Sequence, residues 1–192
     1  PSGGFAGDLT ATVSQTGDDN TSGVSQTATA DSFAGNARDL RAEVDQSGIG
    51  NSSDVTQDAS DAFLASGFNA VATVNQSGND NSSDISQTLS PGALDGLNDL
   101  VSDVIQSVDG NDSSVTQTGE DATTLVEQSG NNNGSIVAQN GDGENPNNLV
   151  DIFQDGDDNT SFAGQTGTAN TTTVNQLGNG NFSDVGQSGE DN

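Results

Sequence analysis

A twelve-residue pattern, Q-x-G-x-x-N-x-S-x-V-x-Q, recurs seven times along the chain. Both glutamines, the asparagine and the serine are present in every copy. Val108 replaces the glycine in one copy, Ala163 replaces the valine in another, and Ile85 is a conservative replacement of the valine in a third. The copies occupy residues 15–26, 46–57, 76–87, 106–117, 128–139, 154–165 and 176–187. A repeat at fixed offsets predicts one small structural unit that stacks on copies of itself.

A looser form of half the pattern fills the spaces between the copies and is clearest from Gln165 to Gln176. Where nothing is inserted, a full period is therefore 22 residues and contains two similar halves. A β-branched residue, which strands prefer, stands two positions before each leading glutamine. These residues are Val13, Val44, Val74, Val104, Val126, Ile152 and Val174. Each half is predicted to be a strand, joined to the next by a tight turn.

Alternation along a strand predicts which side chains point inward. Asn20, Ser22, Val24 and Gln26 share one face, and the preceding residues 16–19 contain the Gly and Asp that tight turns favour. Two short strands per turn cannot bury their inner faces alone, but stacked turns create one continuous core. The predicted fold is an all-β solenoid of about seven strand-turn-strand turns, roughly 34 Å long at about 4.8 Å per strand.

The predicted domain organisation is a leader at 1–8 followed by one solenoid domain at 9–192. Insertions lengthen the return half of some turns and give arcs near 28–42, 59–72, 89–102 and 141–150. The apolar residues of the first three arcs are expected to form a local secondary core more readily than a binding groove. They are Phe33, Leu40, Phe63, Leu64, Phe68, Leu89, Leu94, Leu97 and Leu100.

The repeated amides are the candidate functional residues. Identical amides one strand spacing apart can hydrogen-bond along a stack, which satisfies groups that would be costly to bury singly. The predicted core and polymerisation ladder comprises Gln15, Asn20, Ser22, Gln26, Gln46, Asn51, Ser53, Gln57, Gln76, Asn81, Ser83, Gln87, Gln106, Asn111, Ser113, Gln117, Gln128, Asn133, Ser135, Gln139, Gln154, Asn159, Ser161, Gln165, Gln176, Asn181, Ser183 and Gln187.

Composition excludes several classes of function. The chain has a net charge of -27, and its two basic residues are Arg38 and Arg41, so the basic surface that nucleic acid requires is absent. No apolar run is long enough to span a bilayer. Without His, Cys, Lys or Tyr the usual catalytic pairs cannot be assembled, and neither catalysis nor a cofactor is expected. With only 28% hydrophobic residues, disorder of the isolated chain before assembly is an alternative to a folded monomer.

Acidic residues concentrate in the turns. Asp18, Asp19, Asp157 and Asp158 lie beside glycines, as the oxygen ligands of weak calcium sites do, although the nine-residue calcium-binding repeat is absent. We interpret these acids first as solvated groups that slow premature aggregation, and second as weak cation sites. The repeat frame also predicts that Asp54 and Asp84 occupy the same outward position on adjacent turns.

The paired glutamines, the glycine, the asparagine and the small residue, iterated as strand-turn-strand units from Gln15 to Gln187, resemble the curlin repeat of bacterial curli fibre subunits. The resemblance implies secretion through an outer-membrane pore, a nucleator subunit, and polymerisation into an extracellular functional amyloid of the biofilm matrix. It also implies that the matching Gln, Asn and Ser positions drive polymerisation. The chain departs from familiar members in its seven repeats, its lack of tyrosine, its inserted arcs and its acidity.

Two non-amyloid solenoids are alternatives. An ice-binding face needs threonines on many turns, but Glu43, Asp103 and Asp151 stand at the corresponding outward sites. A capped monomeric adhesin, or a cation-binding surface protein, is harder to separate from a fibre subunit because its strands would look the same. The sequence starts at Pro1 without Met, which favours a mature exported product, and runs from Gln187 into the start of another unit without a cap. Bare ends favour a head-to-tail homopolymer.

Overall fold

In the computed structural model, residues 8–28, 38–59, 68–89, 98–141 and 147–192 are described. They form fourteen strands and no helix. The strands are β1 (Leu9–Thr16), β2 (Thr21–Ala28), β3 (Arg38–Ile49), β4 (Ser52–Ala59), β5 (Phe68–Asn79), β6 (Ser82–Leu89), β7 (Asn98–Ser107), β8 (Asp112–Gly119), β9 (Ala122–Ser129), β10 (Gly134–Gly141), β11 (Asn148–Asp155), β12 (Thr160–Thr168), β13 (Thr171–Leu177) and β14 (Phe182–Glu190).

The strands form two parallel seven-stranded sheets. The odd-numbered strands make the first sheet and the even-numbered strands the second, each in chain order. Pairing is in register, so that Gln15 lies opposite Gln46 in the first sheet and Gln26 lies opposite Gln57 in the second. Each odd strand passes through a first corner into an even strand of the same turn. A second corner leads to the next turn where that connection is described, between β8 and β9 and between β12 and β13. The predicted all-β solenoid of seven turns is confirmed.

The core lies between the two sheets and is a double row of small apolar side chains. Strands β4 and β6 alternate between exposed and buried residues, as a half-buried strand does. One or two apolar residues from each of the strands β3 to β13 meet their equivalents on the neighbouring turns. The principal cluster is Ala42, Val44, Val55, Ala72, Val74, Ile85, Val104, Val115, Val126, Val137, Val150, Ile152, Ala163 and Val174.

The strands extend into the segments predicted to be inserted arcs. Residues 38–42, 68–72 and 98–102 belong to strands, and so do 148–150. The physical reason is a second apolar cluster, Leu40, Ala59, Ala70, Leu89, Leu100 and Ala122, in which longer strands bury additional surface. Leu40, Leu89 and Leu100 are thus part of the solenoid interior. The other predicted arc residues, Phe33, Phe63, Leu64, Leu94 and Leu97, and the side chain of Phe68, lie outside the described residues.

The first corner explains the repeated glycine. Gly48 has φ of 115°, and a Cβ there would lie 1.8 Å from the carbonyl oxygen of Gly78 on the next turn. Neighbouring turns therefore approach too closely for a side chain at Gly48 in this conformation. Val108 occupies the same place in its turn with φ of 75°, a left-handed conformation that β-branched residues rarely adopt.

We predict that Val108→Gly raises the free energy of unfolding by about 1 kcal/mol, because relief of the left-handed valine outweighs the greater freedom of glycine in the unfolded chain. Urea denaturation of the dilute chain, followed by circular dichroism, measures the change. Val101→Gly, placed in the middle of β7, is the matched control and should lower the free energy of unfolding by about 0.5–1 kcal/mol. Destabilisation by both substitutions to a similar extent would contradict the prediction.

Candidate functional site

Two continuous glutamine ladders run along the solenoid. In the first sheet Gln46 Nε2 donates to Gln76 Oε1 at 2.7 Å, and Gln76 Nε2 donates to Gln106 Oε1 at 2.8 Å. The second sheet repeats the arrangement, with Gln57 Nε2 donating to Gln87 Oε1 at 2.8 Å. In every rung the donor belongs to the turn nearer the N terminus. Each ladder therefore has a direction, with an amide nitrogen facing the C-terminal end of the rod.

The same amides also join the two sheets. Gln46 Nε2 donates to the backbone oxygen of Thr21 at 3.0 Å, across the first corner. Gln57 Nε2 donates to the backbone oxygens of Arg41 and Ala70, both at 3.0 Å, across the second corner. One glutamine side chain thus bonds to the glutamine of the next turn and to backbone oxygens of strands in the opposite sheet. Buried polar groups that meet all their partners in this way stabilise and specify a structure.

An asparagine ladder closes the first corner and has the opposite direction. Asn81 donates through its backbone N and its Nδ2 to Asn51 Oδ1, at 3.0 and 3.1 Å. Asn111 makes the same two bonds to Asn81 Oδ1. Here the donor lies on the turn nearer the C terminus. Asn81 Nδ2 additionally donates to the carbonyl oxygen of Val108 at 2.8 Å, which holds successive corners together.

The predicted serine positions face inward, but their hydroxyls do not form a regular ladder. Ser53 Oγ lies 3.5 Å from Ser22 Oγ, and Ser135 Oγ lies 3.2 Å from Ser113 Oγ. The buried hydroxyls of Ser83 and Ser161 have no hydrogen-bond partner among the described residues. Small size explains serine at these positions better than hydrogen bonding, because the two sheets pack closely there.

Two polar elements of the interior lie outside the repeated pattern. Thr124 Oγ1 donates to Gln139 Oε1 at 2.6 Å, and Thr172 Oγ1 donates to Gln187 Oε1 at 2.7 Å. In the last turns a second asparagine ladder closes the second corner, since Asn170 backbone N donates to Asn148 Oδ1. Two signals in the sequence would have identified these residues. Thr124 and Thr172 lie at inward-facing positions of β9 and β13, and Asn148 and Asn170 align with the asparagine of the half-repeat.

The turn carboxylates named as weak cation sites are dispersed. Among the described residues, no group of three or more acidic side chains is close enough to hold a metal ion. Asp157 instead accepts hydrogen bonds from the backbone N and Nδ2 of Asn131, at 2.9 and 2.8 Å. These two bonds hold the pKa of Asp157 below its usual value. Hydrogen bonds from Asn131 on the neighbouring turn therefore stabilise the charged form of this carboxylate.

The fold disfavours the charged form of three outward-facing carboxylates, those of Asp84, Asp103 and Asp121. Asp54 and Asp84 are partners in register on adjacent turns, as predicted. Partial desolvation raises the pKa of Asp84, and repulsion by Asp54 and Asp112 raises it further. Burial also raises the pKa of Asp103 and of Asp121. Each of these groups is therefore protonated more easily in the fold than in the unfolded chain.

The two ends of the rod expose residues that are buried elsewhere. Val13 on β1 is 46% exposed, whereas its partner Val44 on β3 is fully buried. At the other end an open cleft of about 390 Å³ lies between β13 and β14 and is lined by Val174, Gln176 and Asn181 among others. Among the described residues, no strand pairs with the outer edges of β1, β2, β13 and β14.

A comparison with protein-family models matches residues 146–178 to the curlin associated repeat. This segment is similar to a curlin repeat. The matched segment contains β11 (Asn148–Asp155), β12 (Thr160–Thr168) and β13 (Thr171–Leu177), with the ladder glutamines Gln154, Gln165 and Gln176. The repeat and the stacked parallel strands fit a structural subunit of the curli kind.

The other comparisons return no match. No curated protein and no solved structure is similar to this chain at a significant level. Separately, no helix among the described residues is long and apolar enough to cross a membrane.

We predict that Gln106→Leu lowers the free energy of unfolding by about 3 kcal/mol, because Gln76 Nε2 loses an acceptor and Gln128 Oε1 loses a donor in a buried site. The matched control is Gln15→Leu, on the exposed first turn, where only one ladder bond is lost and the expected cost is about 1 kcal/mol or less. Urea denaturation of dilute protein measures both changes. Equal losses in the two variants would show that the ladder bonds contribute little.

We also predict that the monomer becomes more stable as the pH falls from 7 towards the ordinary carboxyl pKa of 3.8. Because the pKa values of Asp84, Asp103 and Asp121 are raised, the fold binds protons before the unfolded chain does. This stabilisation is complete below 3.8 and is lost as the pH rises through the raised values. The opposite contribution of Asp157, whose pKa is lowered, disappears only below 3.8.

Urea denaturation at a series of pH values tests this dependence. Asp84→Asn should be more stable than the unchanged chain at pH 7 and should gain less on acidification. Asp45→Asn is the control, because the partners of Asp45 in register are Ser14 and Asn75, which carry no charge. A stability that declines steadily from pH 7 to pH 4 would contradict the prediction.

Proposed function

We propose that this protein is a structural subunit that assembles head to tail into an extracellular, curli-like functional amyloid fibre. Such a fibre would belong to a biofilm matrix and mediate adhesion and aggregation. The proposal is supported by the outer edges of the first and last turns, which pair with no other strand among the described residues, since a parallel stack with two open edges can add another copy at either end. Head-to-tail contact does not close on itself, so its product is a filament.

The polarity of the ladders supports assembly in one direction. At the C-terminal end Gln176 Nε2 donates to Thr160 O and has no further glutamine among the described residues. At the N-terminal end Gln15 Oε1 accepts no hydrogen bond from them. Stacking the C-terminal turn of one copy on the N-terminal turn of another would join this donor to this acceptor, and likewise Gln187 Nε2 to Gln26 Oε1. The Gln and Asn ladder positions are therefore proposed to drive polymerisation.

The resemblance to curli subunits supplies the remaining parts of the proposal. A chain of this kind would leave the cell through an outer-membrane secretion pore and begin to polymerise on a nucleator subunit. The acidic surface would delay the start of polymerisation, because a net charge of -27 makes separate copies repel one another in dilute solution at low salt. Salt or divalent cations should accelerate assembly by screening this repulsion.

Incubation of the purified chain across salt and calcium series, followed by cryo-electron microscopy, tests the proposal. We expect unbranched fibres with a strand spacing of about 4.8 Å along the axis, which form faster as ionic strength rises. Folded rods that stay monomeric under every condition would contradict it and favour the capped adhesin. Fibres that form at the same rate in all salt and calcium concentrations would contradict only the electrostatic timing.

A further inference from the structure

The first corner carries two outermost positions per turn, and their side chains form two columns along the rod. Backbone bonds such as Gly50 N to Asp18 O and Gly180 N to Asp157 O hold successive corners in line. The first column is Asp18, Ile49, Asn79, Asp109, Asn131, Asp157 and Asn179, and the second is Asp19, Gly50, Asp80, Gly110, Asn132, Asp158 and Gly180. In neither column does a carboxylate follow a carboxylate, so each acid has uncharged neighbours along its own column.

The first column pairs an asparagine with the aspartate of the next turn. Asn79 donates through its backbone N and its Nδ2 to Asp109 Oδ1, at 2.8 and 3.0 Å. Asn131 makes the same pair of bonds to Asp157. Asn179 ends the column with its Oδ1 accepting from Asp157 N, and its Nδ2 has no acceptor among the described residues. Asp18, which begins the column, accepts no side-chain hydrogen bond from them.

The second column pairs a glycine with a side chain of the next turn. A Cβ at Gly50 would lie 2.6 Å from Asp80 Oδ1, and a Cβ at Gly110 would lie 2.6 Å from Asn132 Oδ1. Glycine therefore leaves the space into which the following carboxylate or amide projects. Gly180 ends the column, and a Cβ there would meet nothing within 4 Å. A further turn with aspartate at this position would continue the column without a clash.

We propose that the C-terminal first corner of one copy specifically recognises the N-terminal first corner of the next. In this joint, Asn179 donates to Asp18 of the second copy, as Asn131 does to Asp157. The carboxylate of Asp19 in the second copy occupies the space beside Gly180, as that of Asp80 does beside Gly50. The inference rests on the proposed head-to-tail assembly and adds the residues that select its partner and its register.

The rest of the end surface is compatible with this register. Aligning Gln176 with Gln15 also aligns Gln187 with Gln26 and places Asn181 Oδ1 where the backbone N of Asn20 can donate to it. Outward pairs across the joint would be Thr173 with Thr12 and Asp184 with Gly23, so no acid meets an acid on the strands. At the second corner the aligned residues are unlike, because Asn170 of one copy would lie opposite Leu9 of the next. We therefore assign the selection of the partner to the first corner.

The same two columns disfavour other arrangements of the ends. Two N-terminal ends placed together would bring Asp18 and Asp19 of one copy close to the same carboxylates of the other, which repel. Two C-terminal ends would place Asn179 and Gly180 opposite themselves, with no acceptor carboxylate on either side. Only the head-to-tail joint matches each amide or glycine with an aspartate. The partner that these corners fit is a second copy of this chain.

Seeded elongation of Gly180→Asp tests the inference. Aspartate is compatible with the backbone here, because Asp19 and Asp158 adopt the same left-handed conformation with φ of 57° and 59°. The new carboxylate would face Asp19 across the joint, and we expect elongation at low ionic strength to slow about three- to tenfold, with the difference lost at high salt. Gly180→Asn is the matched control and should elongate nearly normally, since Asn132 stacks beside Asp158 inside the rod.

A double variant separates charge repulsion from damage to the fold. Asp19→Gly combined with Gly180→Asp exchanges the two sides of the joint, so that one glycine again faces one aspartate, and elongation should recover at low salt. Normal elongation of Gly180→Asp, or failure of the double variant to recover, would overturn the proposed register while the unchanged chain still forms fibres. If the unchanged chain forms no fibres at all, the proposed function fails together with this inference.

Discussion

The hydrogen bond between glutamines of adjacent turns is the interaction on which the structure depends. Gln87 is fully buried, and its amide finds its partners only if Gln57 and Gln117 lie directly before and after it. A slip of one residue would turn these amides, together with the apolar side chains of the same face, towards solvent. Because an unsatisfied buried amide costs more than a satisfied one contributes, register is enforced chiefly by the penalty for losing it.

These hydrogen bonds between glutamines explain how a chain with so few hydrophobic residues can fold. The core between the sheets needs only a few small apolar residues per strand, such as Ala42 and Val44 on β3, because the buried glutamines and asparagines beside them are themselves hydrogen-bonded. Each turn contacts mainly the turns before and after it. Stability then accumulates turn by turn, and the first and last turns are the least protected, as the exposure of Val13 shows.

The repeated pattern predicted the strands, their inward faces and the stacking of equivalent residues, because a period of two along a strand determines which residues share a face. It did not predict the bonds from Gln57 to Arg41 O and Ala70 O, since these depend on the path of the chain around a corner. The extension of β3 over Leu40 was missed because an insertion concealed the alternation. Thr124 was missed because it lies outside the repeated pattern.

The arrangement of charge follows from the same stacking. In-register turns bring equivalent side chains one strand spacing apart, so any acid repeated on consecutive turns would repel its copy, as Asp54 and Asp84 do. The first corner avoids this by placing uncharged residues between aspartates, and Asn131 donates hydrogen bonds to the neighbouring carboxylate of Asp157. In the proposed assembly, a joint between copies would be one more turn of the same stack. The sequence at the two ends must therefore satisfy the same rule, and Asn179 with Gly180 at one end and Asp18 with Asp19 at the other satisfy it.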